Sequence, residues 1–228
     1  MTESDKLDVI IPFKWKGAKS RLSNNMILKE REEFALKMFQ DVLNTIISFK
    51  RQTLNDIKIS VLTTTNDVYK CIKGIKDERL DVIVDTRRLN DALNGIISKK
   101  NTENNPLLIL MADLPLVTTK IMQEILNREE DIIIVPGRKG GTNILFIKNL
   151  SKFRVDYYGI SFKNHEKIAI ENGLSYHIYD SLFAGTDIDE EEDLLDLLVF
   201  GEGESKKYLE KLGFMAVNKD EKIFIDRR

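Results

Sequence analysis

Five short apolar runs, spaced by helix-forming segments, constrain this chain more than any other feature. They are LDVIIPF from Leu7, IKISVLTT from Ile57, DVIVD from Asp81, LLILMA from Leu107 and DIIIVPG from Asp131. Each is almost continuously apolar and rich in β-branched residues, which suits strands covered on both faces, as in a parallel sheet. Between the first two, Phe34, Met38, Val42 and Ile46, with Leu43 and Ile47, recur at helical spacing inside EREEFALKMFQDVLNTIISF. Shorter helices are predicted at LNDALNGIISKK and TTKIMQEILNRE. The alternation predicts an α/β fold: a mostly parallel mixed sheet flanked by helices, with right-handed crossovers.

After Gly137 the pattern changes. TNILFIK reads as a strand, SFKNHEKIAIENG as a helix ending at Gly173, and LSYHIYDS as a strand. DEEEDLLDLLVFG predicts a helix whose capping box pairs Asp189 with Glu192. KKYLEKLGFMAVNKDEKIFIDRR suggests a helix and a hairpin turning at NKDEK. The polar KKNTENNP is a loop rather than a domain boundary, because LLILMA belongs to the same sheet. The 228 residues therefore read as one domain, with a helix–hairpin extension at about 203–228.

Composition removes several function classes. A formal net charge of −2 gives no global basic field for nucleic acid or an anionic membrane. One cysteine, Cys71, excludes an internal disulfide or a cysteine-built zinc site, and suits a reducing, cytoplasmic setting. His165 and His177 are too few for a histidine metal cage. No apolar run approaches a membrane span, and the polar MTESDKLD does not resemble a signal peptide. The apolar tail after Phe214 offers a surface for a second subunit, so a homodimer is an expectation.

In open α/β sheets ligands bind beyond the carboxyl ends of the strands. The first such position holds IPFKWKGAKSRLS, with Lys14, Lys16, Lys19 and Arg21 around Gly17. Gly17 permits a sharp turn, and backbone N–H groups with Lys and Arg make a phosphate cradle. A solvated basic turn is the competing reading, and Lys16 is the cation expected to face water. GxxxxGK[ST] and GxGxxG are both absent, which argues against a Walker kinase or GTPase and a dinucleotide site. Asp113, in MADLPLV, ends an apolar strand and needs a cation or several hydrogen bonds; a turn or cap residue is its alternative. Asp187 and Asp189, two apart in GTDIDEEED, share a face if extended. With Asp113 they could hold Mg²⁺, which prefers oxygen ligands and often bridges to a nucleotide phosphate. Glu190 to Asp193 read as a solvated helix N-terminus.

PGRKGGTN offers Gly140 and Gly141 for close backbone approach and Thr142 and Asn143 as donors, or a simple flexible hairpin. In YYGISFKNH, Ser161 could cap the helix, with or without an anion; His165 reads as structural rather than as a base. No GxSxG elbow or ordered triad supports a serine hydrolase. Phe13 reads as core; Trp15 stays open between core and base stacking.

Six of these segments in register, VIIPFKWKGAKSRLS, LNDALN, MADLPL, PGRKGGTNILF, YYGISFKNH and AGTDIDEEEDL, resemble the archaeal 2-phospho-L-lactate guanylyltransferases of deazaflavin coenzyme (factor 420) synthesis. The resemblance spans roughly Val9 to Phe200 and implies a GT-A-like nucleotidyltransferase fold. It also implies the reaction: 2-phospho-L-lactate plus GTP gives lactyl-2-diphospho-5′-guanosine and pyrophosphate. Lys14, Lys19 and Arg21 would then hold the GTP phosphates, and Asn90 would lie near the ribose or guanine. Asp113, Asp187 and Asp189 would bind Mg²⁺. Thr142, Gly159 and Ser161 would touch the acceptor, with Asn143 beside them. Bacterial relatives use phosphoenolpyruvate and carry a GPGS-like stretch where this chain reads YYGIS, so the acceptor is where the resemblance departs. Alternatives are the same chemistry on phosphoenolpyruvate or another acceptor, as in molybdenum-cofactor guanylyltransferases, or a non-catalytic nucleotide-binding regulator. The chemistry suits the residues independently: a phosphate acceptor is already an anionic nucleophile, so catalysis needs charge neutralisation and alignment rather than a strong base.

Overall fold

A computed structural model describes residues 6–53, 56–72, 80–100, 105–219 and 222–228. Residues 101–104 of the polar loop and 220–221 at the hairpin tip, both read from sequence, lie outside the described residues. Strands β1 (Lys6–Pro12), β2 (Asp56–Thr63), β3 (Leu80–Val84), β4 (Leu107–Leu110), β5 (Ile132–Pro136), β6 (Thr142–Ile147) and β7 (Tyr176–Ile178) form one sheet in the order β3-β2-β1-β4-β6-β5-β7. β6 alone runs antiparallel to its neighbours β4 and β5; the other pairings are parallel. The sheet is therefore mostly parallel and mixed, as the apolar runs predict.

Each buried strand feeds two cores. On β1, Val9 and Ile11 face one core while Ile10 faces the other, the period of two that a pleated strand imposes. Helices α1 (Leu28–Thr53) and α4 (Thr119–Leu126) cover the first face through Phe39, Val42 and Ile46, and Met122 and Ile125. Helices α3 (Leu89–Lys100) and α5 (Ser161–Glu171) cover the second through Leu93 and Ile96, and Ile168. Full burial of each such side chain contributes roughly 1.5–3 kcal/mol. Phe13 is core, as read from sequence: it is 5% exposed and stacks on Phe39 with ring centroids 4.2 Å apart. Trp15 packs partly buried against the same core.

Two short helices went unread in the sequence, α2 (Val68–Ile72) and α6 (Leu182–Gly185), because each is little more than one turn. The strand expected across LSYHIYDS is confined to Tyr176–Ile178 at the sheet edge. Helix α7 (Glu191–Phe200) corrects another expectation: its capping box pairs Glu190 with Asp193, not Asp189 with Glu192. The shift of one residue leaves the Asp189 carboxylate outside the cap.

Helix α8 (Glu204–Lys211) and the hairpin of β8 (Phe214–Lys219) and β9 (Lys222–Arg227) form the C-terminal extension. The outer face of α1 meets it in a third core through Phe34, Met38, Leu197, Leu209 and Phe214. Buried Asp41 of α1 caps α8, accepting from the backbone N–H groups of Glu204 (2.7 Å) and Ser205 (2.9 Å). Arg227 ties β9 back: its guanidinium pairs with Glu30 at 2.7 Å and covers the Phe214 ring.

Candidate functional site

The basic loop leaves β1 at Pro12 and turns at Gly17, whose φ of 68° needs no Cβ. Its backbone N–H does not face a ligand, however: it donates to Glu32 Oε1 at 2.8 Å. The cations separate into distinct environments. Lys16, expected to face water, pairs with Asp67 at 2.6 Å. Lys14 is exposed at the shared rim of two cavities. Lys19 turns inward from a left-handed backbone (φ 55°, ψ 44°), the one positive φ among described non-glycine residues. Its side chain is 7% exposed, and Nζ donates to Asp113 Oδ2 (2.8 Å) and Asp189 Oδ1 (2.6 Å). Burial opposes the Lys19 charge, but the two carboxylates outweigh it and hold the ammonium above its ordinary pKa. Burial likewise acts to raise Asp189, and the Lys19 ammonium overrides it, holding that carboxyl low. Arg21 stays 60% exposed, 3.6 Å from Asp189 and 3.3 Å from Glu190.

The acidic segments are joined by backbone: Ile188 N–H donates to the Asp113 carbonyl at 3.1 Å. Asp187 has a different environment from its neighbours. Burial first, then the Asp113 charge, pushes its carboxyl up. The Asn143 amide donates to it at 3.4 Å and to the Ala184 carbonyl at 2.9 Å. Among the described residues, no three His, Cys, Asp or Glu side chains gather closely enough to hold one metal ion. Lys19 stands between two of the three expected carboxylates. The donor chemistry still fits Mg²⁺ in another form, since that ion commonly takes one or two carboxylates plus substrate phosphates. Asp187, crowded by negative charge, is the carboxylate most in need of a cation. A cavity of about 260 Å³ opens here, lined by Lys14, Lys19, Met111, Asp113 and Asp189 among others.

Two of the residues expected at the acceptor, Thr142 and Ser161, join a second cluster, while Asn143 turns to Asp187 and Gly159 is exposed. PGRKGGTN is a tight β5–β6 hairpin, with Gly137 N–H bonded to the Gly141 carbonyl at 3.0 Å. Thr142, Ser161 and His165 are buried together. His165 Nε2 accepts from the Asp156 N–H at 2.9 Å, so Nδ1 carries the proton and donates to Thr142 Oγ1 at 2.9 Å. Ser161 Oγ also donates to Thr142 Oγ1, at 3.2 Å. Ser161 is thus the first helical residue, not the cap; the cap position is Ile160, with no side-chain cap bond. Burial lowers the His165 pKa to about 4, so the ring stays neutral at neutral pH. That agrees with a structural histidine rather than a base. Gly159 has φ 65°, the turn that aims α5 at the hairpin.

Asn90, expected at the ribose or guanine, faces this cluster instead. Its amide donates to Asp156 at 2.9 Å and accepts from the Tyr157 N–H at 2.7 Å. Its first-turn neighbour Leu89 lines a separate cavity beyond β1–β3. Sequence reasoning missed Lys139, which pairs with Glu190 at 2.7 Å. It also missed Asp156, and gave Glu190 to solvent. The one available signal was the cation–glycine pattern of PGRKGG, which needs a counter-charge when folded.

Residues 7–224 match the family model described as guanylyl transferase CofC like. The 2-phospho-L-lactate guanylyltransferase of Methanosarcina mazei is 44% identical over 210 residues, covering 92% of this chain and 95% of that one. That of Methanoregula boonei is 40% identical over 218 residues, covering 96% and 94%. Among solved structures, a Desulfovibrio desulfuricans protein provisionally described as a nucleotide-diphospho-sugar transferase superposes with a TM-score of 0.72 at 14% identity, covering 92% and 95%. A nucleotidyl transferase from Methanothermobacter superposes with 0.57 at 11% identity, covering 91% and 99%. These two structural likenesses show the shared fold, the α/β nucleotidyltransferase architecture implied by the sequence.

Proposed function

The chain belongs to the CofC-like guanylyl transferase family, and from that membership we propose that it transfers GMP from GTP to 2-phospho-L-lactate. The products are lactyl-2-diphospho-5′-guanosine and pyrophosphate, a step of deazaflavin coenzyme synthesis. The observation that carries the reading is the buried Lys19 ammonium held between Asp113 and Asp189 at the carboxyl end of the sheet. Such a cluster is suited to polyanions: its cations can turn from carboxylates to phosphate oxygens in charge-assisted hydrogen bonds.

An oxygen of the acceptor phosphate attacks the α-phosphorus of GTP, and the bond to the pyrophosphate oxygen breaks. No protein base is required, and the neutral His165, with both ring nitrogens engaged, is not available as one. Lys14, Lys19 and Arg21 neutralise the triphosphate and the departing pyrophosphate. Thr142, Ser161 and the Gly159 turn orient the acceptor, with Asn143 fixing Asp187. Asp113 and Asp187, with the nucleotide phosphates, would hold Mg²⁺, which supplies charge neutralisation at those phosphates when bound. Asp189 remains the partner of Lys19 and Arg21.

The test is pyrophosphate release with each nucleoside triphosphate against a panel of phosphorylated acceptors. Turnover with GTP and 2-phospho-L-lactate is expected. Turnover confined to phosphoenolpyruvate or another acceptor would replace the acceptor assignment. GTP binding without turnover on any acceptor would support a regulatory protein instead.

A further inference from the structure

The cavity beyond β1, β2 and β3 is separate from the phosphate cluster but touches it. Its volume is about 360 Å³, and it shares Phe13, Lys14 and Met111 with the cavity at Lys19. Leu62, Leu89 and Met111 give it apolar walls, suited to the faces of a flat heterocycle. Its polar lining comprises Thr63, Thr64, the shared Lys14 and one ion pair, Asp85 with Arg87.

That pair is tightly built. Arg87 Nε donates to both Asp85 oxygens (3.0 and 3.1 Å), and Nη2 donates to Oδ2 at 2.6 Å. The Arg87 backbone N–H also donates to Asp85 Oδ1 at 3.0 Å. These hydrogen bonds hold the Asp85 carboxyl down to about 2, so it is an ionised acceptor at neutral pH. Because one N–H is shared between the two oxygens, acceptor capacity remains. Helix α3 makes room for the guanidinium: a Cβ on Gly95 would lie 2.7 Å from Arg87 Nη2 and 3.0 Å from Nη1. Glycine inside a helix costs about 0.5–1 kcal/mol relative to alanine, and the Arg87 position is a physical reason for it here.

We propose that this cavity seats the nucleotide base, and that the Asp85–Arg87 pair makes the site selective for guanine. The inference rests on the guanylyltransferase reading and names its specificity residues. Guanine carries the O6 acceptor beside the N1–H and N2–H donors. The pair offers the complement, a guanidinium donor beside a carboxylate acceptor. Adenine reverses both polarities, so a mismatch would set donor against donor and acceptor against acceptor. Gly95 is a positioning residue, since the three atoms nearest an added methyl group all belong to the far end of the Arg87 side chain.

The experiment compares GTP, ITP and ATP, by calorimetric affinity and by kcat/KM for pyrophosphate release, in wild type, Arg87→Met, Asp85→Asn and Gly95→Ala. We expect the GTP-to-ATP ratio to fall about tenfold or more in Arg87→Met and Asp85→Asn, the discrimination lost with one good polar pair. Asp85→Asn should also lose the preference for GTP over ITP, which lacks the N2 amine. Gly95→Ala should lower the GTP-to-ATP ratio while keeping the circular dichroism of the wild type, a change that a merely structural glycine would not produce. Arg87 is exposed, so its variant serves if Asp85→Asn fails to fold. Ratios unchanged in the folded variants, or a wild type indifferent to the base, would overturn the base assignment alone. A wild type that binds and turns over no nucleotide would overturn the guanylyltransferase reading as well.

Discussion

The carboxyl edge of the sheet divides into two regions of opposite construction. At β1 and β4 the site is ionic: Lys19 joins carboxylates 94 and 170 residues away, and both acids stay about one-third exposed. At β6 and α5 it is neutral and closed, with Thr142, Ser161 and His165 satisfying one another at no more than 4% exposure. The first region can re-pair with a polyanion. The second already has its partners and acts as a shaped wall. Under the proposed function, charge neutralisation and positioning would be separated in space, and substitutions in the two regions should fail differently.

The largest expected effect is Asp113→Asn. It should lower pyrophosphate release by about a hundredfold or more while leaving Tm near the wild-type value, because a preorganised charge is lost at a half-open position. A variant with full rate would remove Asp113 from the reaction. Lys19→Ala comes next. It should weaken GTP affinity by about tenfold or more and cost about 1–3 kcal/mol, a range discounted for solvent screening of the two acids left without their cation. Unchanged calorimetric affinity would take Lys19 out of the phosphate site.

The neutral region should respond chiefly in stability. His165 has a pKa of about 4 in the fold against about 6.5 in the unfolded chain. Between those values the unfolded state binds the extra proton, so stability is full above about pH 6.5 and falls as pH drops toward 4. The contribution is on the order of 3 kcal/mol across that window. His165→Gln should flatten the slope there in denaturant titrations, and an equal slope would contradict the buried neutral ring. Thr142→Val leaves the His165 and Ser161 donors without their acceptor, at about 1–3 kcal/mol. It should raise KM for the acceptor while leaving GTP affinity unchanged. Arg21→Ala is the smallest: stability within about 0.5 kcal/mol, as for an exposed ion pair, with a modest, salt-dependent rise in KM for GTP. A large Tm loss there would erase the contrast between the regions.

The fold was legible where burial is continuous. LDVIIPF and LLILMA are apolar on both faces, and only a sheet covered on both sides satisfies such runs. The helix at LNDALNGIISKK spans that whole segment, Leu89–Lys100, because its apolar period and basic end agree. The capping box was misplaced by one residue because five consecutive acids give DEEED several equivalent spacings; tertiary contacts with Lys19 and Arg21 select the register. Asn90 shows the same limit. Its segment belongs to a recognisable motif, but whether the amide meets a ligand or Asp156 depends on a loop 66 residues away.

The sequence by itself determined the alternation of buried strands and amphipathic helices, and with it the carboxyl edge where charge collects. Those features follow from periodicity and burial, which are local. Only the tertiary structure decided that Lys19, rather than Lys14 or Lys16, sits between the acids. It also decided that, among the described residues, Asp187 has no cation held as closely as Lys19 is to Asp113 and Asp189, and that Arg87 rests against Gly95. The reason is physical: a charge is settled by its nearest counter-charge and by its distance from water, and both depend on segments that meet only when the chain is folded.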